Sequence, residues 1–372
     1  MNPMNPSEQS ALDRRYMAAA IRLSRSHQGL TGTNPSVATL IVDKDGVIAG
    51  RGVTAIGGRP HAETQALAEA GDRARGATAY VTLEPCAHHG KTPPCADALV
   101  TAGVSRVVAA ANDPDDRVAG RGYAILRNGD IAVVTGVLAA EAADYLAGYL
   151  IRSSKKRPEV TLKLALSADG YIGRHGTGQI AITGPIARAQ VHLMRAESDA
   201  ILVGIGTALA DDPVLTCRLP GLENRSPVRI VLDSRLRLPV DSKLVQSAGS
   251  VPLWIAASAQ ADPARRQALV AAGCRMLATE TDCGATALPE LLDDLAAQGI
   301  ATLMVEGGAA VASALLQDDL VDRIALFEGP LAIGSEGGLA VPELSSHIAR
   351  DFTLARDERF GDDRYREYVR PI

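Results

Sequence analysis

Aromatic side chains are scarce in this chain: one Trp, three Phe and eight Tyr in 372 residues. Its cores must be built from Ala, Val, Leu and Ile, and a hydrophobic content of 47% supplies enough of them. Long basic runs are absent and the formal net charge is −5. A nucleic-acid partner held by phosphate neutralisation is therefore not expected. No apolar stretch reaches the roughly 18 residues of a membrane helix. Residues 1–9 are polar with no apolar core, so no secretory leader is expected. Five cysteines in a chain this long do not make a disulfide framework. The cytoplasm is the expected compartment. The length exceeds one ordinary core, so two domains are expected.

What is present is an alternation of strand-like and helix-like segments, the pattern of layered α/β domains. Spacing predicts a helix over Asp13–Ser26, with Met17, Ala20, Ile21 and Ser24 on one side. Strands are expected at Val37–Val42, Ala77–Leu83, Val104–Ala110 and Ile131–Thr135, with an Asp45-Gly46 hairpin turn into Val47-Ile48. Helices are expected at His61–Ala70, with Pro60 near its first turn, at Pro94–Ala102, stopped by Gly103, and at Ala139–Ile151. The polar run Ser153-Ser154-Lys155-Lys156-Arg157-Pro158 is the best boundary, giving domains 1–154 and 155–372. Beyond it, strands are expected at Val160–Leu166, Ala200–Val203, Val228–Leu232, Leu253–Ala257, Thr302–Val305 and Arg323–Phe327. Helices are expected at Pro185–Ala196, Pro263–Ala272, Ala287–Gln298 and Ala309–Leu316.

The chemistry concentrates in His61-Ala62-Glu63, Pro85-Cys86 and Cys95. One neutral imidazole and two thiolates supply three zinc ligands and leave a fourth place for water, as in catalytic sites. Each ligand is expected near a helix start, where partial positive charge favours thiolate. A zinc ion there would lower the pKa of bound water. Glu63 is placed to take that water's proton, then pass it to a ring nitrogen and on to leaving ammonia. The order His-x-Glu then Pro-Cys, followed by a second Cys, is that of zinc nucleobase deaminases, here with a longer gap between the thiols. The bland alternative is a closed structural site with His88 or His89 as fourth ligand.

Thr82-Leu83-Glu84-Pro85-Cys86, His88 and Gly90-Lys91-Thr92-Pro93-Pro94-Cys95, with Asn34-Pro35, His61-Ala62-Glu63 and Asn112-Asp113-Pro114, resemble the deaminase domain of bacterial bifunctional riboflavin biosynthesis proteins. The resemblance implies a cytidine-deaminase-like α/β/α domain and a diaminopyrimidinone ribosylamine phosphate as substrate. It implies that Asn34 holds the pyrimidine while His88 and Lys91 meet the substrate's polar groups and phosphate. Lys91 could equally be a solvated surface lysine, and Asn112-Asp113 could cap a turn. Ala38-Thr39 stands where that family usually has Gly-Cys.

In the second half, Val203-Gly204-Ile205-Gly206-Thr207 and Val305-Glu306-Gly307-Gly308 each put glycine at the end of a strand. Two such ends suggest a dinucleotide at the carboxyl edge of a sheet, although either could be a plain tight turn. Lys163-Leu164-Ala165-Leu166-Ser167-Ala168-Asp169-Gly170, Ile182-Thr183-Gly184-Pro185 and Leu209-Ala210-Asp211-Asp212-Pro213-Val214-Leu215-Thr216 resemble the reductase half of the same proteins. So do Val231-Leu232-Asp233-Ser234 and Val305-Glu306-Gly307-Gly308. That likeness implies a dihydrofolate-reductase-like α/β domain using NADPH. Position by position it implies NADPH contacts from Ala165, Ala181, Thr207, Asp211 and Ser234. Further contacts are implied from Gly308, Ala309, Ala310, Val311, Ala312, Ser313 and Ala314. It implies reductase-substrate contacts from Gln179, Arg195, Leu215, Arg218 and Glu306. Arg195 and Arg218 suit a phosphate through bidentate contacts, or could be ordinary ion-pair partners. Lys163 and Glu306 are candidates to polarise or protonate the opened ribose imine, or could form a buried structural pair. Ser234 with Arg235 could recognise the 2′-phosphate. The block Gln179-Ile180-Ala181-Ile182-Thr183 lacks the Trp that commonly precedes Ile-Thr in that family.

The sequence thus points to a cytoplasmic enzyme with catalytic Glu63, Lys163 and Glu306, one zinc ion on His61, Cys86 and Cys95, and NADPH. Its partners are expected to be small pyrimidine ribose-phosphates, with no nucleic acid and no membrane, and a homo-oligomer is the common state for such enzymes. The alternatives are a deaminase of a free base or nucleoside with a regulatory second domain, a zinc-stabilised binding protein, and a nucleic-acid base deaminase, the last disfavoured by the acidic balance.

Overall fold

The computed structural model describes residues 6–90, 93–282, 285–341 and 343–371. The chain divides into two compact units, residues 1–156 and 157–372.

The first unit is built on a five-stranded sheet with spatial order Ile48–Val53, Ala38–Val42, Thr78–Leu83, Arg106–Ala111, Ala132–Val134. Ala38–Val42 runs antiparallel to both neighbours, and the remaining pairs are parallel. Alternation along the strands sends side chains to two faces. Tyr80 and Leu40 are register partners, and Tyr80 points to the helix Pro6–Ser24, where its hydroxyl donates to Asp13 at 2.9 Å. Gly50 and Gly52 point the other way, to the helix Ala62–Ala70. The helices Cys95–Ala102 and Arg121–Asn128 continue that second layer. The result is the expected α/β/α sandwich.

The sandwich is unusually thin on the side of Ala62–Ala70. A Cβ at Gly50 would lie 2.1 Å from the Ala66 carbonyl oxygen, and one at Gly52 would lie 2.1 Å from that of Ala62. The helix answers with small buried residues of its own, Ala62, Ala66 and Ala70. Helix backbone therefore rests directly on strand backbone, and the first turn of the helix is fixed relative to the sheet.

The second unit holds a nine-stranded mixed sheet. Its order is Arg275–Thr279, Leu253–Ser258, Val228–Leu232, Ala200–Gly204, Thr302–Glu306, Glu159–Leu166, Arg323–Glu328, Asp363–Val369, Thr353–Phe360. The first seven strands are mutually parallel. The last two form an antiparallel hairpin on the edge. Its core is aliphatic, as the composition requires, with Leu162, Leu202, Ile230, Leu295 and Val305 in one cluster.

Most expected elements fall within a few residues of their observed limits. The hairpin Thr353–Phe360 and Asp363–Val369, the edge strand Arg275–Thr279 and the helices Arg121–Asn128, Ile205–Asp211 and Leu344–Asp351 were not expected. The strand Thr353–Phe360 has almost every side chain exposed, so it carries no hydrophobic period to detect. The single expected helix Ala139–Ile151 is two, Ala139–Tyr145 and Ala147–Lys155, broken at Leu146. Among the described residues no helix is long and apolar enough to cross a membrane.

Gly52→Ala has no room for its methyl group and is expected to cost the first unit about 1–3 kcal/mol. Urea unfolding followed by circular dichroism reads this as a lowered midpoint; an unchanged midpoint contradicts the close approach.

Candidate functional sites

Three pieces of chain build the first site. His61 is the N-cap of the helix Ala62–Ala70, with extended backbone at φ −70°, ψ 163°. Glu63 sits in that helix's first turn, on its buried side. Cys95 opens the helix Cys95–Ala102. Cys86 departs from the expectation that every ligand lies at a helix start: it belongs to the loop that follows the strand Thr78–Leu83. It meets a helix end all the same, because its Sγ accepts the Cys95 N–H at 3.2 Å.

His61 Nδ1 stands 3.3 Å from Cys95 Sγ and 3.7 Å from Cys86 Sγ. The three ligand atoms all lie within 4.8 Å of one another. Tetrahedral zinc, with bonds of about 2.0 Å to nitrogen and about 2.3 Å to sulfur, puts N and S about 3.6 Å apart. The donors are thus both of the right kind and at the right spacing for one zinc ion. Among the described residues the cluster contains neither His88 nor His89, so the closed four-ligand alternative lacks its fourth donor.

The groups press on one another electrostatically. The hydrogen bond from Cys95 holds the Cys86 thiol down at about 4, while the same bond and burial push Cys95 far above the usual thiol range. The Cys86 hydrogen bond raises His61. Burial, then the charge on Cys86, pushes Glu63 up to about 7. A divalent cation binding these three crowded donors displaces the protons they share.

Around this centre, Asn34 spends one amide hydrogen on the Gly58 carbonyl, at 2.9 Å. His88 Nδ1 is buried with no hydrogen-bond partner. Lys91 lies outside the described residues. Asn112 accepts the Tyr123 hydroxyl at 3.1 Å. Asp113 accepts the Asp115 N–H at 2.9 Å and the Tyr149 hydroxyl at 3.0 Å, so it does cap a turn.

The second site lies at the carboxyl ends of adjacent parallel strands. Gly307 and Gly308 follow the strand Thr302–Glu306 with φ of 77° and 84°, a region costly for any residue with a Cβ. A Cβ at these positions would meet Thr207 at 3.3 and 3.1 Å, and one at Gly204 would meet Val311 at 2.8 Å. The two glycine-bearing strand ends therefore come together, with Thr207 and the start of the helix Ala309–Gln317 between them. Ala310 is exposed there; Ala309, Val311, Ser313 and Ala314 are half-buried. Ala312 is different: it is fully buried in the core, and its N–H is spent on the Gly308 carbonyl. Ala165 and Ser234 are half-buried near strand ends, Ala181 and Gln179 are exposed, and burial raises the Asp211 carboxyl at the end of its helix. Leu215 also turns inward, into the core, with a left-handed φ of 57°.

Arg195 and Glu306 form a buried bidentate pair: Nε donates to Oε1 at 2.6 Å and Nη2 to Oε2 at 2.9 Å. Arg195 Nη1 also donates to the Thr216 carbonyl at 3.0 Å. Burial pushes the Glu306 carboxyl up, but the Arg195 charge and its hydrogen bonds outweigh this and hold it below the usual range. Lys163, the register neighbour of Glu306 on the next strand, is not part of that pair. Its Nζ lies 5.9 Å from the Phe327 ring centre, and burial lowers its pKa. Arg218 is exposed, in the field of Arg195.

Sequence reasoning missed Arg229, a fully buried guanidinium in the strand Val228–Leu232. It donates to the Val214 carbonyl at 3.2 Å and the Ser247 hydroxyl at 2.7 Å, and so holds the segment that carries Leu215 and Arg218. The available signal was a lone charge inside the apolar run Val-Arg-Ile-Val-Leu.

Comparison with known proteins decides the family. Residues 10–111 match the cytidine and deoxycytidylate deaminase zinc-binding region, and residues 158–364 match the RibD C-terminal domain. The chain is 42% identical to the riboflavin biosynthesis protein RibD of Escherichia coli over 87% of its own length and 89% of that protein's. The chain belongs to the RibD family. The Bacillus amyloliquefaciens RibD is 37% identical over 94% of this chain and 98% of that one. Among solved structures, Acinetobacter baumannii RibD superposes with a TM-score of 0.85 at 35% identity, covering 98% of this chain and all of that one. A diaminohydroxyphosphoribosylaminopyrimidine deaminase/5-amino-6-(5-phosphoribosylamino)uracil reductase from Thermotoga maritima gives 0.84 at 32% identity, with 98% of this chain and 100% of that one covered. As a RibD family member the chain joins a zinc-dependent deaminase to an NADPH-dependent reductase. A match over the whole length disfavours a nucleoside deaminase with a merely regulatory second domain.

Arg195→Leu would strand the Glu306 carboxylate in a buried site, and is expected to cost about 3–5 kcal/mol. The single Trp of the chain, Trp254, lies in the same unit. Its fluorescence during urea unfolding should report a clearly lowered midpoint; wild-type stability would contradict the pairing.

Proposed function

We propose that the first unit hydrolyses an exocyclic amine from 2,5-diamino-6-(5-phosphoribosylamino)pyrimidin-4(3H)-one, and that the second reduces the ribosyl group of 5-amino-6-(5-phosphoribosylamino)uracil to ribityl. The observation that carries this reading is the convergence of His61, Cys86 and Cys95 beside buried Glu63 in a RibD family chain.

His61, Cys86 and Cys95 would hold the zinc ion. When bound, zinc supplies a Lewis acid that makes water acidic enough to serve near neutral pH. Glu63 takes the water's first proton and gives it to the ring nitrogen, then carries the proton of the new hydroxyl group to the amine, which departs as ammonia, acting as base and then acid. Asn34, with an amide oxygen and one N–H still free of the Gly58 contact, orients the pyrimidine. His88 meets a polar group of the substrate with its unpartnered Nδ1. Lys91 is assigned to the phosphate.

In the reductase, NADPH supplies a hydride when bound, at the glycine-lined crevice between the strand ends. Ser234 with Arg235 would select the 2′-phosphate. Glu306 is occupied by Arg195, so Lys163 is the group we assign to protonate the opened ribose imine. A desolvated ammonium with a lowered pKa gives up its proton readily. Arg218 takes the substrate phosphate, while Arg195 holds Glu306 in place. In the same reading the enzyme works in the cytoplasm as a homo-oligomer.

Glu63→Gln is expected to lower ammonia release by about 10²–10⁴-fold, while NADPH oxidation with the deaminated intermediate continues at the wild-type rate. Stripping the metal should produce the same split. Survival of both activities, or loss of both, would sink the assignment. Arg218→Ala should raise KM for the reductase substrate by about tenfold or more, the worth of a charge-assisted hydrogen bond; an unchanged KM removes Arg218 from the phosphate.

A further inference from the structure

Of the three ligands, Cys86 is the only one that no helix carries. His61 and Cys95 are fixed by the helices they begin, whereas Cys86 follows the strand Thr78–Leu83 by three residues in a loop. We propose that Glu84 is a positioning residue of the zinc site, its buried carboxylate fastening the Cys86 loop to the N-terminus of the helix Arg121–Asn128. The proposal rests on the reading of His61, Cys86 and Cys95 as the zinc ligands.

Glu84 is 3% exposed. Its Oε1 accepts the Gly122 N–H at 3.1 Å and the Tyr123 N–H at 3.5 Å, and its Oε2 accepts the Gly120 N–H at 3.2 Å. These are the amides that a helix leaves without intrahelical partners at its start. The N-cap residue is Gly120, which has no side chain to satisfy them. Glu84 supplies the cap from a distant strand end, with a negative charge where the helix end favours one.

The contact is made by backbone as well. A Cβ at Gly122 would lie 2.0 Å from the Pro85 carbonyl oxygen, so helix and loop touch one residue before Cys86. The far side of the helix turn is tied down too, since the Tyr123 hydroxyl donates to Asn112, just beyond the neighbouring strand Arg106–Ala111. On its other flank the loop is bound by the Ala96 N–H to the Cys86 carbonyl, at 3.2 Å. Cys86 is thus held between two helix starts, one presenting Cys95 and the other gripped by Glu84. Without the carboxylate, three amides lose a buried acceptor, and the loop loses the anchor that sets where its sulfur points. Groups behind a ligand commonly govern metal affinity in this way.

The test is zinc release from the full chain to a chromogenic chelator under native conditions, for wild type, Glu84→Ala, Glu84→Gln, Gly122→Ala and Leu126→Ala. Leu126 lies in the core on the same helix and is fully buried, so its truncation weakens the unit without touching the loop. Glu84→Ala should speed zinc release by about 10-fold to 100-fold. Glu84→Gln keeps one acceptor oxygen and should fall between it and wild type. Gly122→Ala, which keeps the carboxylate but pushes on the Pro85 carbonyl, should also speed release. Leu126→Ala should release zinc at close to the wild-type rate. In cobalt-substituted protein the visible absorption should shift for the Glu84 and Gly122 variants alone, and NADPH oxidation by the second unit should be unchanged in all. If Glu84→Ala does not fold, Glu84→Gln and Gly122→Ala decide the matter. Release from the Glu84 and Gly122 variants no faster than from Leu126→Ala would reduce Glu84 to an ordinary helix cap and overturn the proposal. A wild-type chain that binds no zinc would instead overturn the ligand assignment itself.

Discussion

A zinc ion accepts ligands only at fixed distances, so His61 Nδ1, Cys86 Sγ and Cys95 Sγ must converge from three separate chain segments to within 4.8 Å. The packing of the first unit follows from that demand. Gly50 and Gly52 let the helix Ala62–Ala70 lie backbone to backbone on the sheet, and the alanines facing them keep the gap small. Large side chains in that layer would lift His61 and Glu63 away from the cysteines. The scarcity of aromatic residues, first legible as a restriction on the core, fits this architecture: close approach of backbone is achieved by removing side-chain volume.

The second unit positions its chemistry by charge. Arg195 and Glu306 are buried together, and a buried ion pair contributes little net stability after desolvation. What the pair does secure is geometry: it joins the helix Pro185–Glu197 to the end of the strand Thr302–Glu306, immediately before the Gly307-Gly308 turn. Lys163 stands beside the pair without belonging to it, a cation in a poorly solvated place that already holds another. Such an ammonium is a better acid than one in water. Arg229 does comparable work further along, its charge solvated by carbonyl and hydroxyl dipoles while it holds the Val214 segment.

Much of this was legible in the amino-acid order, because zinc ligands and strand-end glycines are local signals. His61, Glu63, Cys86 and Cys95 could be named from residue type and spacing, and the two glycine turns from their place after apolar runs. What escaped depends on long-range contact. No spacing rule reveals that Arg195 spends its guanidinium on Glu306, or that the side chains of Ala312 and Leu215 lie in the core. Ala312 is buried between half-buried neighbours because a helix turns each successive side chain by about 100°. The edge hairpin Thr353–Phe360 and Asp363–Val369 escaped because an exposed strand needs no apolar alternation. The role of Glu84 escaped because its partners are amides, and every residue but proline has one.

The central claim is a metal held by one imidazole and two thiolates, with its fourth position free of protein. X-ray absorption at the zinc edge of the purified chain tests it most directly. The account requires two sulfurs at about 2.3 Å, two nitrogen or oxygen neighbours at about 2.0–2.1 Å, and outer-shell scattering from a single histidine ring. A third sulfur, or scattering from two rings, would mean that the protein closes the site, and would contradict the catalytic reading.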